Sequence, residues 1–173
     1  MTTDSQLSLL YPDLLMAKIK VYDKCNFHFS NPVINTEGSA YHACSFELNG
    51  KIVQYRGANI TPKKEGQFVA IWKRNNAGIT EPFDVSDNMD YLIITVRNND
   101  HFGQFIFPKI VLADKGIITR NGKEGKRGIR VYPPWDMTQN KQAEKTQRWQ
   151  TLYFLPIPAH KNVDLDLARK LFV

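Results

Sequence analysis

The spacing of apolar positions changes twice along the chain and divides it into three parts. Between residues 4 and 24, apolar residues recur at helical spacing, and Pro12 predicts that a second helix begins there. Residues 41–135 carry short apolar runs separated by turn formers, which predicts a sheet core. Helical spacing returns over residues 137–171, with predicted helices at 137–155, capped by Asp136 or Thr138, and at 163–171.

The strands of the middle part are bounded by recognisable turns. Asn49-Gly50 predicts a tight hairpin, because both residues accept the positive φ angles of a two-residue turn. Pro108 predicts the start of a short helix over residues 109–114. Because the strands form one block with helices mainly at the ends, we predict a single α+β domain over residues 1–173, with a mixed central β-sheet flanked by helices. The predicted strands are 43–48, 51–58, 67–74, 91–97, 103–107 and 128–132.

Composition limits the class of protein. Of the 173 residues, 42% are hydrophobic and 23% are charged, a balance typical of a folded globular domain. No apolar run approaches the roughly 20 residues of a membrane span, and the first residues do not resemble a signal peptide. Cys25 and Cys44 fit a reducing compartment without a disulfide framework. We therefore expect a cytoplasmic protein without membrane partners; its oligomeric state is not predicted.

The net charge of +6 is concentrated in two stretches. Residues 109–148 hold ten basic and four acidic side chains, a surplus equal to the whole net charge. Residues 51–74 hold six basic and one acidic, whereas residues 81–100 hold one basic and five acidic. Such segregation can attract a polyanion, DNA or RNA. An unevenly charged but purely solvated surface is the alternative.

The segment GKEGKRGIRVYPPW, residues 122–135, combines basic and aromatic residues. Its three glycines permit close approach of the backbone, and its aromatics could stack on a base or a sugar. The alternative is a basic hairpin loop followed by two core aromatics. The candidate residues are Lys123, Lys126, Arg127, Arg130, Tyr132 and Trp135.

Two further basic groups extend this candidate face. Lys141, Lys145 and Arg148 fall on one stripe of the predicted C-terminal helix, which could equally face water. Residues 61–74 carry a second basic cluster, whose Trp72 is predicted to lie in the core. The predicted phosphate contacts are thus Lys63, Lys64, Lys73, Arg74, Lys109, Lys123, Lys126, Arg127, Arg130, Lys141 and Arg148, with Tyr132, Trp135 or Trp149 stacking.

Four phrases of the sequence resemble signature segments of the MepB family. They are ANITPKKEGQFVAIWK (residues 58–73), FGQFIFPK (102–109), GKRGIRVYPPW (125–135) and KQAEKTQRW (141–149). The resemblance implies a restriction-endonuclease-like fold and binding of nucleic acid. Both implications agree with the charge distribution.

A nuclease-like fold raises the alternative of Mg²⁺-dependent cleavage. That chemistry needs converging carboxylates and a lysine that polarises water. Lys73 is present on the strand 67–74, but Ile71 occupies the position where the acidic residue would stand. We therefore predict a degenerate site without catalysis or cofactor. The candidate ligands, should a nuclease with Mg²⁺ apply, are Glu47, Asp84, Asp87 and Asp90.

Two remaining alternatives concern a metal and a protein partner. Cys25, His28, His42 and Cys44 lie within 20 residues of one another, but their spacings differ from those of common zinc sites, so no metal is predicted. A protein-interaction adaptor whose basic face meets an acidic partner is the third functional alternative.

Overall fold

The computed structural model describes residues 3–173, in which strands dominate the middle of the chain. The α-helices of these residues are α1 (Thr3–Leu10), α2 (Pro12–Ala17), α3 (Lys109–Asp114), α4 (Lys141–Gln150) and α5 (Leu165–Leu171). The strands are β1 (Val33–Ile34), β2 (Cys44–Leu48), β3 (Lys51–Gly57), β4 (Asn59–Ile60), β5 (Gln67–Ala70), β6 (Trp72–Arg74), β7 (Thr80–Pro82), β8 (Tyr91–Asn98), β9 (His101–Pro108), β10 (Gly128–Val131) and β11 (Phe154–Pro156).

The largest sheet has six strands in the order β1-β2-β3-β8-β9-β11. Its β3–β8 pair is parallel and its other neighbours are antiparallel. A small sheet has the order β10-β5-β4, and β6 pairs with β7. The predicted α+β class, with a mixed central sheet flanked by helices, is confirmed. Residues 1 and 2 of the predicted domain lie outside the described residues, and no helix within residues 3–173 is long and apolar enough to cross a membrane.

Both faces of the large sheet are covered, and alternation along β8 shows how. Tyr91 and Ile93 belong to one hydrophobic cluster, together with residues of α1, α2 and α5. Leu92 and Ile94 belong to a second cluster, which includes residues of α3 and the small sheet. Because successive side chains of a strand point to opposite faces, one apolar run supplies both cores.

Several predicted elements are confirmed and two are corrected. Asn49 and Gly50 have φ angles of 52° and 81° at the β2–β3 turn, and α3 begins directly after Pro108, as predicted. The predicted helix over residues 137–155 is wrong at both ends. Helix α4 is shorter, and Asn140 caps it instead of Asp136 or Thr138. Residues 154–156 form β11 beside β9, because completing the edge of the large sheet overrides helical spacing.

The strand predicted over residues 67–74 is interrupted at Ile71. The two parts pair with different partners, β5 with β4 and β10, and β6 with β7. The side chain of Ile71 is buried, and its N–H donates to the carbonyl of Arg127 at 2.9 Å. One predicted strand therefore serves two separate sheets, which places Lys73 and Arg74 away from the small sheet.

Candidate nucleic-acid interface

A groove lies between the small sheet and helix α4, and we call it the β10–α4 groove. It consists of two adjoining cavities of about 420 and 560 Å³, which share Arg130, Tyr132, Asn140 and Ala143 as lining residues. The other charged residues along its walls are Lys63, Lys64, Glu65, Lys115 and Lys126.

Helix α4 is fastened to β10 by an amide side chain. The buried Gln150 accepts the N–H of Tyr132 at 2.8 Å, and its Nε2 donates to the carbonyl of Arg130 at 3.0 Å. Gln147 donates from one turn earlier to the carbonyls of Pro133 and Asp136, at 2.8 and 2.9 Å. These bonds satisfy backbone groups next to β10 and fix the distance between the two walls of the groove.

Arg130 holds the loop that carries Lys63 and Lys64. Its guanidinium donates to the carbonyl of Glu65 at 3.0 Å, to Oγ1 of Thr61 at 2.7 Å and to the carbonyl of Gly66 at 3.3 Å. Most of the hydrogen bonds of the Arg130 guanidinium are therefore made within the protein, and they position the loop of residues 61–66.

Two residues of the same loop adopt the left-handed backbone conformation. Lys63 has a φ angle of 74°, which is uncommon for a residue with a side chain. Gly66 has a φ angle of 73°, and a Cβ at this position would lie 2.8 Å from the ring of Tyr132. Gly66 thus allows the loop to approach Tyr132 closely, which brings the two lysines to the groove.

The charge of the groove is strongly one-sided. Its walls carry five cationic side chains and the single carboxylate of Glu65. Within residues 3–173, none of the four lysines among them forms an ion pair, although Lys115 lies 5.3 Å from the ring centre of Trp149. A concave surface with unpaired cations attracts anions.

Asp136 lies beside the loop and is a partly buried acid. Burial raises its pKa, while the N–H of Gly66 and the charge of Arg130 act in the opposite direction. Glu65, a like charge, raises the pKa of Asp136 further. This acid is therefore more readily protonated than an exposed aspartate.

The three predicted stacking aromatics are distributed differently. Tyr132 is half-buried and lines both cavities of the groove. Trp149 lines one cavity, with its ring centre 5.3 Å from that of Phe107 in the second hydrophobic cluster. Trp135 lies outside the groove, where its ring stacks on His101 with centres 5.0 Å apart. The structure therefore brings Tyr132 and Trp149 to the basic groove and separates Trp135 from it.

Three predicted phosphate contacts are engaged in ion pairs. Lys73 pairs with Asp87 at 2.6 Å and with Glu81 at 3.3 Å. Arg74 pairs with Glu37 at 2.5 Å. Arg127 pairs with Glu124 at 2.8 Å. The charges of these three side chains are therefore balanced by acids, and none of the three lines the groove.

The remaining predicted contacts do not line the cavities of the groove. Lys123, Lys141 and Arg148 are exposed, and Lys109 is half-buried at the start of α3. Their contact with a ligand stays a prediction.

Three of the four acids proposed for Mg²⁺ accept hydrogen bonds from backbone N–H groups. Oδ1 of Asp84 accepts from the N–H and hydroxyl of Ser86, and these two bonds hold the pKa of Asp84 below its ordinary value. Asp87 accepts the N–H of Asp84 at 2.7 Å. Asp90 accepts the N–H of Ile52 at 2.8 Å, and Glu47 is exposed on β2. Within residues 3–173 no three acidic, histidine or cysteine side chains are grouped to hold a metal ion, so the structure does not assemble this alternative ligand set.

The same holds for the cysteine and histidine set. Cys25 and Cys44 are buried in the first hydrophobic cluster, whereas the side chains of His28 and His42 are exposed and half-buried. Burial raises the pKa of Cys44 to about 12, which keeps its thiol protonated at neutral pH.

Sequence reasoning missed Lys115, Asn140 and Gln150 at this site. Lys115 counted toward the basic stretch but carried no motif. Asn140 acts through a hydrogen bond from the N–H of Ala143, and Gln150 through two bonds to the backbone of Arg130 and Tyr132, and no local sequence pattern predicts these bonds. Each becomes recognisable only when α4 is packed against the small sheet.

Comparison with known proteins places the chain in a family. A family model described as MepB-like matches residues 35–156. A solved structure, "Crystal Structure of MepB", is 34% identical, and the match covers 78% of this chain and 89% of that one with a TM-score of 0.72.

A second solved structure, of the bacterial homing endonuclease I-Ssp6803I, is 13% identical over 88% of this chain and 94% of that one. Its TM-score of 0.46 supports no conclusion about the present chain, and the restriction-endonuclease-like form of the fold stays an expectation. No curated protein matches. Because the family model covers more than half of the residues and a solved MepB structure agrees in sequence and fold, this chain belongs to the MepB-like family.

Proposed function

We propose that the chain binds nucleic acid in the β10–α4 groove, as a binding module without catalysis. The observation that carries the proposal is the combination, in one concave site, of a half-buried tyrosine with lysines that form no ion pair within residues 3–173. Lys63, Lys64 and Lys126 supply the charge, and Tyr132 supplies the ring.

The chemistry of the groove suits an unpaired stretch or end of a nucleic acid. Each lysine that neutralises a phosphate releases condensed counterions, which favours binding at low salt. Stacking of a base on an aromatic ring contributes about 1–3 kcal/mol per base and tolerates any sequence. Because bases inside a duplex are already stacked, Tyr132 can contribute this way only to an unpaired base.

The direct test is fluorescence anisotropy with labelled single- and double-stranded DNA and RNA over a salt series. The logarithm of the affinity is expected to fall linearly with the logarithm of salt, with a slope of about −0.7 per phosphate contact for single strands. Single strands are expected to bind more tightly than duplexes of the same length at equal salt.

A charge-matched pair of variants tests the location of the site. Replacing Lys63, Lys64 and Lys126 with alanine should reduce the steepness of the slope by about 2, since three contacts are lost. Replacing Lys51, Lys161 and Lys170, which are exposed outside the groove, removes the same total charge and should leave most of the slope. Equal losses in both variants would mean that the net charge, and not the groove, determines binding.

Two other outcomes of the anisotropy experiment would favour one of the alternative functions, an adaptor for an acidic protein or a nuclease. Absence of salt-dependent binding to all four probes would contradict the proposal and favour an acidic protein partner. Shortening of the probe with Mg²⁺, abolished by EDTA, would favour a nuclease.

A further inference from the structure

A second cavity, of about 470 Å³, shares no lining residue with the β10–α4 groove. It lies between β3, β6 and the segment 83–89, and its lining includes Arg56 of β3. We call it the Arg56 cavity. Its size falls within the range of about 300–1,000 Å³ that small-molecule sites occupy.

Arg56 is the buried cation of this cavity, with only 5% of its surface exposed. One of its guanidinium nitrogens donates to the carbonyl of Tyr55 at 2.8 Å, and the group lies 5.7 Å from the ring centre of Phe83. A guanidinium has five N–H donors, so most of them remain without a protein acceptor within residues 3–173. Burial lowers the pKa of Arg56 to about 10, which leaves it cationic at neutral pH.

The two carboxylates of the cavity wall do not neutralise Arg56. Asp87 uses one oxygen for Lys73 at 2.6 Å and the other for the N–H of Asp84 at 2.7 Å. Glu37 is paired with Arg74. Within the described part of the chain, Arg56 forms no ion pair. A buried cation without a counter-ion is unfavourable, and an anion entering from solvent would remove that penalty.

The rest of the wall suits an organic anion better than a bare ion. Trp72 and Phe83 offer apolar surface, and the amides of Gln54, Asn35 and Asn88 offer donors and acceptors. We infer that the Arg56 cavity binds a small organic anion whose phosphate or carboxylate group pairs with the guanidinium of Arg56. Both head groups present two oxygens to the planar fork of an arginine, which explains why arginine suits this position.

Nuclear magnetic resonance of the indole N–H groups gives a local readout, because Trp72 is one of three tryptophans in the chain. Its signal is assigned with Trp72→Phe. Sodium phosphate, sodium acetate and adenosine monophosphate are titrated separately against sodium chloride at matched ionic strength. Saturable movement of the Trp72 signal by phosphate or the nucleotide supports a phosphate ligand, and movement by acetate supports a carboxylate ligand. If no probe moves it beyond the chloride control, the inference is overturned.

Variants of Arg56 test the role of its guanidinium. Arg56→Met should abolish the saturable movement of the Trp72 signal. Arg56→Lys should lower the affinity for the probe about tenfold, because an ammonium lacks the two-pronged geometry of a guanidinium. Arg169→Met, an exposed arginine on α5, is the matched control and should behave as the wild type. If Arg56→Met fails to fold, the affinity of Arg56→Lys for the probe tests the role of the guanidinium. Wild-type affinity for the probe in a folded Arg56 variant would contradict the inference.

Thermal melting without any probe separates a ligand site from a structural arginine. Arg56→Met should melt at or above the wild-type temperature in chloride, because replacing an unpaired buried charge by an apolar chain of similar length removes a desolvation cost. Marked destabilisation would indicate that Arg56 stabilises the fold through its bond to Tyr55 and its contact with Phe83. That result would contradict an anion-binding role for Arg56.

The inference is independent of the proposed nucleic-acid binding. Arg56→Met is expected to bind oligonucleotides with the wild-type salt slope, and the lysine variants of the groove are expected to keep the response of Trp72. Failure of one proposal therefore leaves the other unaffected.

Discussion

Tyr132 is the residue on which the single-strand preference depends. It lines both cavities of the β10–α4 groove, and its ring packs closely over Gly66. We predict that Tyr132→Leu weakens binding of a single-stranded oligonucleotide by about 1–3 kcal/mol, roughly 5- to 150-fold, because base stacking is lost. The salt slope in anisotropy should not change, since no phosphate contact is removed. Tyr132→Phe keeps the ring and should bind as the wild type; an equally tight leucine variant would contradict stacking.

Asp136 gives a prediction about pH. Burial raises the pKa of Asp136 in the folded state, so its neutral form is favoured there. A group with a raised folded pKa contributes stability that is fully present below its unfolded pKa and is lost as pH rises through the folded pKa. Asp136→Asn should therefore flatten the acid part of the stability profile and equal or exceed wild-type stability at neutral pH.

Chemical denaturation over a pH series measures this effect, and Asp166→Asn on the exposed face of α5 is the control. The amide that Asp136→Asn introduces still has an oxygen that can accept the N–H of Gly66. The same substitution should raise affinity for nucleic acid at neutral pH, because it removes a negative charge beside the loop. If the dependence of the free energy of unfolding on pH is the same in Asp136→Asn as in the wild type, Asp136 does not cause it.

At the scale of the element, α4 depends on a cap that also faces the groove. Oδ1 of Asn140 accepts the N–H of Ala143 at 2.8 Å, and Asn140 lines both cavities. We predict that Asn140→Ala lowers the free energy of unfolding by about 1 kcal/mol with little effect on affinity, because a cap is lost but no charge changes. Asn140→Asp should preserve stability, since aspartate caps equally well, but weaken binding of nucleic acid by placing a carboxylate in the groove.

Denaturant unfolding and anisotropy on the same two variants separate these effects. Loss of stability in both variants would mean that the Asn140 side chain acts beyond its cap. Unchanged affinity in the aspartate variant would place the ligand away from the start of α4.

The elements themselves were predictable where local chemistry decides them. Helix α3 after Pro108 and the Asn49-Gly50 hairpin need only the fixed φ of proline and the positive φ of the turn. Strand β11 was missed because three residues carry little local preference, and their conformation is set by pairing with β9. The break at Ile71 was missed for the same reason.

At the scale of the whole molecule, the two cysteines report on the integrity of the first hydrophobic cluster. Both thiols are buried, and burial raises the pKa of Cys25 and of Cys44. We predict that a thiol reagent labels both cysteines of the folded protein only when the cluster opens, since burial disfavours the reactive thiolate and shields it from the reagent. Labelling followed against denaturant should parallel the loss of circular dichroism. Fast labelling of one thiol in native buffer would contradict its burial.

The α+β class, the apolar run that becomes β8 and the surplus of basic residues could be predicted from the sequence alone, because period, turn chemistry and net charge are local or additive properties. Which charges are available depends on the fold. It pairs Lys73, Arg74 and Arg127 with acids and turns Arg130 toward the loop of residues 61–66. Among residues 3–173 it gives Lys63, Lys64 and Lys126, which surround Tyr132, no ion-pair partner. It also buries Arg56 without a counter-ion from the described part of the chain. Whether a charge is free depends on neighbours distant in sequence, which no spacing along the chain specifies.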